Sequence, residues 1–183
     1  AEIEEYIPKD FAIYDLPQFL NTVSLCSSPD IDVSSNETFA HIKEGTANRS
    51  KYFFSDPSVI IAPPDKEMAL PSDDVQFILG EEQLAKILKS SSILGLPDLS
   101  VVGDAGVVKL VVSDRKNDTS NDFAVVVGRT DKTFSFNFKI ENIKLITGTY
   151  QVSISSKNLA KFYNTDYKLT YFIALEPDSS YEG

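Results

Sequence analysis

The chain has 183 residues, 42% of them hydrophobic, and a formal net charge of −10 at pH 7. With 12 Phe and 8 Tyr it can bury the core of one large domain or two small ones, which excludes wholesale disorder. Its acidity excludes a generally basic exterior of the kind that coats nucleic acid or membranes, but not a local basic face.

A single cysteine, Cys26, rules out an internal disulfide and fits a reducing compartment. No apolar run approaches membrane-spanning length, and Ala1-Glu2-Ile3-Glu4-Glu5 lacks signal-peptide character, so a soluble intracellular protein is expected.

In chain order, Phe11–Tyr14 reads as a short strand. Asp15 then caps a helix with Pro17 in its first turn and Gln18 at the capping-box position. Leu16, Phe19, Leu20 and Val23 form its apolar stripe, which runs to about Cys26. Ile31/Val33 and Phe39/Ile42 alternate with polar residues as two strands, and Lys51–Phe54 is an aromatic fourth.

Next comes a stretch from Ser55 to Pro71 with four prolines and no glycine, holding the apolar run Val59-Ile60-Ile61-Ala62. Proline fixes φ, removes a donor and drives its predecessor towards extended geometry, so this is a semi-stiff connector and a domain boundary. The expected division is 1–58, a connector over 59–71, and 72–183.

Beyond it, Val75–Leu79 is a strand broken by Gly80. Glu81 and Glu82 open a helix to about Leu94, with Leu84, Ile87, Leu88 and Leu94 on one face and Lys86 and Lys89 largely outside it. Strands are expected at Leu99–Val102, Val107–Val112, Phe123–Val127 and Phe134–Phe138, then a short helix over about 140–146 closed by Thr147-Gly148. Tyr150–Ile154, a turn near Lys157-Asn158, Lys168–Leu175 and a tail of Glu176-Pro177-Asp178-Ser179 complete the chain.

The two halves end alike, in Tyr52-Phe53-Phe54-Ser55-Asp56-Pro57-Ser58 and Tyr171-Phe172-Ile173-Ala174-Leu175-Glu176-Pro177-Asp178-Ser179, each after strand, short helix and strands. This is a weak internal duplication in which the helix at 81–94 has no first-half counterpart, so the chain is expected to start inside its first repeat, with roughly 45 residues absent by comparison.

Catalytic chemistry is not apparent. His41 is the one histidine and sits in an expected strand, Cys26 on an expected buried helix face, and no Cys/His cluster has metal-ligand spacing. Gly103-x-x-Gly106 lacks the lysine and helix of a phosphate-binding loop, and the adjacent pairs Asp73-Asp74 and Glu81-Glu82 diverge. A non-enzymatic protein without metal or cofactor is expected.

Several colinear segments resemble the sliding clamps (DNA polymerase processivity factors) of T-even-like bacteriophages. They are Ala12–Leu16 with Phe19-Leu20 and Ser24-Leu25, Asp56–Pro63, Phe134–Phe138, Asn142–Lys144, Gly148–Tyr150 and Ala174–Ser179. The resemblance implies an α+β DNA-clamp fold of two similar domains, antiparallel sheets backing short inner helices, the first domain here incomplete. It implies a homotrimeric ring around duplex DNA, a DNA polymerase and a clamp-loader ATPase as partners, no membrane, and work in the cytoplasm of an infected bacterial host.

A sliding ring must hold DNA through phosphates without reading bases. The candidates are Lys86 and Lys89 on the longer helix, Lys139 and Lys144 on the short one, and Arg115 and Lys116 in a hairpin turn; the alternative is that these are ordinary solvated cations. Clamps of this type hold partner peptides in apolar pockets near the connector, which points to Val59, Ile60 and Ile61 with Leu175 and Pro177, either as a socket or as residues that pin the linker to its sheet. A β-rich virion structural or interaction module is the competing class.

Overall fold

The computed structural model describes residues 6–61 and 68–183, which pack as two units that part near residue 66. Ala62 to Glu67 of the expected connector, and Ala1 to Glu5, lie outside the described residues.

The first unit is one helix on a small sheet. Helix α1 (Leu16–Val23) begins at Asp15, whose carboxylate accepts the Gln18 N–H at 2.8 Å. Strands β1 (Asp30–Asp32), β2 (Phe39–Glu44) and β3 (Asn48–Phe53) form an antiparallel sheet in that spatial order. The core is small: Phe19 meets Tyr52 edge-on at 5.1 Å, Phe11 meets Phe54 at 5.3 Å, and Cys26 packs beside fully buried Ile42.

Two expectations change here. Phe11–Tyr14 is not a strand; among the described residues its one ladder-like bond is from the Ser55 N–H to the Ala12 carbonyl, 3.0 Å. The helix ends at Val23, so Cys26 is buried in the turns that follow rather than on a helix face.

Among the described residues the second unit contains nine strands and one long helix. Strand β4 (Val75–Leu79) leads into α2 (Glu81–Leu94), then β5 (Asp98–Asp104), β6 (Val107–Ser113), β7 (Asp122–Arg129) and β8 (Thr133–Lys139). After a single 3₁₀ turn at Ile140–Asn142 come β9 (Tyr150–Ser155), β10 (Leu159–Asn164), β11 (Leu169–Ala174) and β12 (Ser180–Glu182). They form a sheet in the order β11-β10-β9-β4 and another in the order β12-β8-β5-β6-β7, both antiparallel. Alternation explains the layering. Val108, Leu110 and Val112 point inwards from β6 and Phe134, Phe136 and Phe138 from β8, joining Tyr150, Val152 and Ile154 in one core.

Helix α2 closes that core with Leu84 and Ile87, and Leu88 packs against its margin. Leu94, expected on the buried face, is exposed; Ser91 takes the inward position and donates to the Leu96 carbonyl at 2.7 Å, just past the left-handed C-cap Gly95. The helix expected over 140–146 contracts to one turn. Ile140 N–H donates to the Pro97 carbonyl, Ile143 closes the turn and buries its side chain, and its backbone then leaves the helical region at ψ 65°.

The two units end in equivalent tails. In the first, Phe54 N–H donates to Thr38 and Ser55 N–H to Ala12; in the second, Leu175 N–H donates to Asn158 and Glu176 N–H to Asn137. The hairpins between correspond as well, since β2–β3 pairs Phe39 with Phe53 where β10–β11 pairs Leu159 with Ala174.

Candidate functional site

Helix α2 supplies the first part of the site. Lys86 and Lys89 lie one turn apart on the stripe opposite Leu84 and Ile87, both exposed. Lys86 approaches Glu82, one turn back, at 3.9 Å, a solvated pair of little net strength; Lys89 has no ion pair among the described residues. Lys144 is also exposed, four residues beyond Ile140, whose N–H is tied to Pro97 just after α2 ends. The fold thus brings the short turn preceding Lys144 to the C-terminal end of the helix carrying Lys86 and Lys89.

Lys139 and Arg115 are placed differently, which corrects the expectation of two cations free to meet phosphate. Both serve Asp98, a carboxylate 1% exposed at the start of β5. Lys139 Nζ donates to one oxygen, while the other accepts the Arg115 N–H at 3.1 Å and lies 3.9 Å from Arg115 Nε. Burial pushes the Asp98 carboxyl up, but the Lys139 hydrogen bond, the Arg115 N–H and the two positive charges outweigh it and hold the group below its ordinary range. The Asp98 hydrogen bond raises Lys139 in turn.

Arg115 continues the chain of contacts, donating from Nη1 to Asp178 at 2.6 Å, a bond that lowers the Asp178 carboxyl. Buried Asn137 completes it: its N–H donates to Ser179 Oγ, its side-chain amide to the Asp178 carbonyl, and its Oδ1 accepts from Ser100 and Ser135. The network fastens the tail to β8 and β5. Lys116, beside Arg115 in the β6–β7 connection, stays exposed.

The apolar candidates also separate. Val59 ends a 3₁₀ turn, Pro57–Val59, opened by Asp56, whose carboxylate accepts the Ser58 N–H. Val59 is 53% and Ile61 97% exposed, while Ile60 turns partly inwards and lines an apolar cavity of about 270 Å³ with Phe11, Ala12 and Pro57. Leu175 does not line a socket. It is buried in the second unit's core, held where its N–H meets the Asn158 carbonyl; Pro177 beside it is exposed. Phe11 and Pro57 are cavity residues that the sequence reading missed, although the Ala12/Ser55 pairing follows from the repeated tail.

Among the described residues no group of three His, Cys, Asp or Glu side chains is placed to hold a metal ion. No helix there is long and apolar enough to cross a membrane.

Residues 76–177 match the family model described as "gp45 sliding clamp, C terminal". The chain belongs to the gp45 sliding-clamp family. It is 29% identical over 183 residues to the sliding clamp of Vibrio phage KVP40, covering 96% of this chain and 80% of that protein. It is also 29% identical over 192 residues to the sliding clamp of Enterobacteria phage T4, covering all of this chain and 82% of that one. Among solved structures it resembles the DNA polymerase III subunit beta DnaN sliding clamp of Bartonella birtlesii, with a TM-score of 0.57 at 14% identity, over 77% of this chain and 40% of that one. It also resembles A. fulgidus PCNA bound to the C-terminal region of FEN-1, with a TM-score of 0.56 at 14% identity, over 83% of this chain and 65% of that one. In both cases the chain spans less than two thirds of the solved relative's length, and the likeness establishes the α+β clamp fold.

Proposed function

We propose that the chain is a subunit of a phage sliding clamp that closes as a homotrimer around duplex DNA, without sequence preference, and tethers the replicative DNA polymerase. A clamp-loader ATPase opens and places the ring, and the assembly works in the cytoplasm of the infected bacterium without catalysing a reaction or binding a cofactor. Residues 1–58 and 72–183 are the two clamp domains, joined by 59–71. The observation that carries the reading, beside family membership, is the exposed Lys86/Lys89 stripe of α2 with Lys144 at its far end, on a chain whose net charge is −10. An exposed lysine stripe along one helix face suits non-specific phosphate contact that permits sliding. Lys116 is a secondary contact; Lys139 and Arg115 hold the tail instead. Nothing observed favours a virion structural module.

The test changes Lys86, Lys89 and Lys144 together to Glu and measures retention on nicked circular DNA after loading, across a salt series. The variant should leave the circle faster and show a flatter salt dependence; retention equal to the parent's would overturn the assignment.

Partner capture belongs at the cavity formed by Ile60, Phe11, Ala12 and Pro57, with Val59 and Ile61 as exposed apolar surface for a peptide end. Titrating a polymerase C-terminal peptide into Ile60→Asp and Ile61→Asp should give weaker binding than the parent while the melting temperature holds; unchanged affinity would make the apolar run linker packing alone.

A further inference from the structure

We infer that the open edge of β3 takes up an extended, acidic segment of a partner protein as an added strand. Among the described residues β3 is the last strand of its sheet, so its outer N–H and C=O groups have no ladder partner. Along that edge runs a trough with two hollows. One, of about 520 Å³, lies between Tyr14, Gln18 and Thr22 and the strand residues Lys51, Tyr52 and Phe53; the other, of about 360 Å³, reaches Leu25 and Arg49. A strand laid there would complete hydrogen bonds and present alternate side chains to two different surfaces.

One surface is the α1 wall. The other is a basic and aromatic face that the fold does not require. Phe39, His41 and Lys43 alternate along β2 opposite Phe53, Lys51 and Arg49 on β3, while Ala40 and Ile42 fill the core behind. Arg49 hydrogen-bonds the His41 ring at 3.1–3.3 Å and Lys51 sits over the Phe39 ring at 4.8 Å. Among the described residues no carboxylate lies within ion-pair distance of Lys43, Arg49 or Lys51. Asp32, across from His41, is turned to the N–H groups of Ser34 and Ser35 instead.

The second unit is an internal control. The positions of Phe39, His41, Lys43, Arg49, Lys51 and Phe53 are occupied there by Leu159, Lys161, Tyr163, Thr170, Phe172 and Ala174, in the same register. The hairpin therefore forms with one cation on that face; β1 sets Asp30 and Asp32 across from Lys43 and His41, but among the described residues Arg49 and Lys51 on the edge strand have no carboxylate across from them, and these two answer to something outside the fold. Carboxylates at alternate positions of an added strand would stand across from Arg49 and Lys51, with the intervening residue towards α1. The free backbone edge favours a peptide over a nucleic acid, which offers no matching ladder.

The test uses fluorescein-labelled synthetic peptides on the whole chain: one alternating Glu with Val, one with Lys in place of Glu, and one with alternate backbone amides N-methylated. The Glu peptide should bind and slow amide exchange across Asn48–Phe53, with the other two at least about tenfold weaker. Arg49→Glu with Lys51→Glu should weaken it similarly, and Arg49→Ala with Lys51→Ala less, all at exposed positions where thermal melting checks the fold. Equal binding by the Lys or N-methylated peptide, full binding by the charge-reversed variant, or displacement of the Glu peptide by a lower concentration of oligothymidylate would each overturn the inference, the last in favour of nucleic acid.

Discussion

The two units end on the same pair of backbone hydrogen bonds, yet secure that ending by different physics. In the second, Asn137 both accepts from Glu176 N–H and reaches Asp178 and Ser179 with its own groups, inside a network anchored on buried Asp98. In the first, the corresponding residue is Ala12, which has no polar side chain, and the ending rests on ring contacts among Phe11, Phe54, Phe19 and Tyr52. A two-sheet core leaves room for a buried polar lock because apolar burial elsewhere is ample; a three-stranded sheet with one short helix depends on each aromatic ring.

That contrast is broken most forcefully at Phe19. Phe19→Ala should cost about 3–5 kcal/mol, a large share of what so small a core supplies, and should remove protection from the Ile42 and Tyr52 amides while leaving those of Val101 and Val111 unchanged. Site-resolved hydrogen exchange reads both units at once. Equal loss in both would mean that they do not respond separately.

The mirror experiment strikes the second unit. Asp98→Ala leaves Lys139 and Arg115 without their shared carboxylate and should cost about 3 kcal/mol, loosening the Asp178–Ser179 tail first; a variant that keeps the parent's denaturation midpoint would refute the lock. The same network sets a pH window. Asp98 is lowered in the folded state, so its contribution is present above the unfolded carboxylate range and is lost as pH falls below about 4. Lys139 is raised, so its contribution holds at neutral pH and fades only as pH rises beyond the ordinary lysine range. Acid should therefore release the second unit's tail in the parent, while in Asp98→Ala the remaining acid response is that of Asp178, which Arg115 also lowers.

A smaller effect is expected at Gly103. The Phe134 ring lies flat against its backbone, so a Cβ there would fall 2.3 Å from the ring's Cε1. Gly103→Ala should cost about 2 kcal/mol by forcing that ring from the core, with no effect on the first unit's exchange rates.

Much of the second unit was legible because its strands alternate cleanly and α2 has acidic residues at its start and glycines on both sides. Lys139 and Arg115 were misread because Asp98 lies 41 and 17 residues away in sequence, and no local pattern reports a buried partner at that distance. Leu175 was misread for a related reason: its place in the repeated tail does not say which way the residue after β11 faces. The short helix failed because Ile143 is worth more buried than as a further helical residue, and β12 was missed because Ser-Tyr-Glu becomes a strand only beside Phe134. The basic face of β2–β3 was written openly in the alternation of Phe39, His41 and Lys43 with Arg49, Lys51 and Phe53, but its meaning required the second unit's hairpin in the same register.

The finest test of the comparison lies at the two helix starts. Asp15 caps α1 through its side chain, whereas Gly80 has none to offer α2, where Gln83 turns back to accept the Gly80 N–H at 2.9 Å and donates to the Val126 carbonyl at 3.1 Å. Asp15→Ala should lower the first unit's stability by about 1 kcal/mol, and Asp15→Asn should restore most of it because the amide oxygen can still accept the Gln18 N–H. The Asp15 carbonyl also receives the Tyr52 hydroxyl at 3.1 Å, so fraying the first turn should reach the Phe19–Tyr52 contact and show in near-ultraviolet circular dichroism. Gln83→Ala, in contrast, should loosen only the first turn of α2, whose Leu84 and Ile87 remain embedded in the larger core. The same kind of change would then spread through the first unit and stay local in the second.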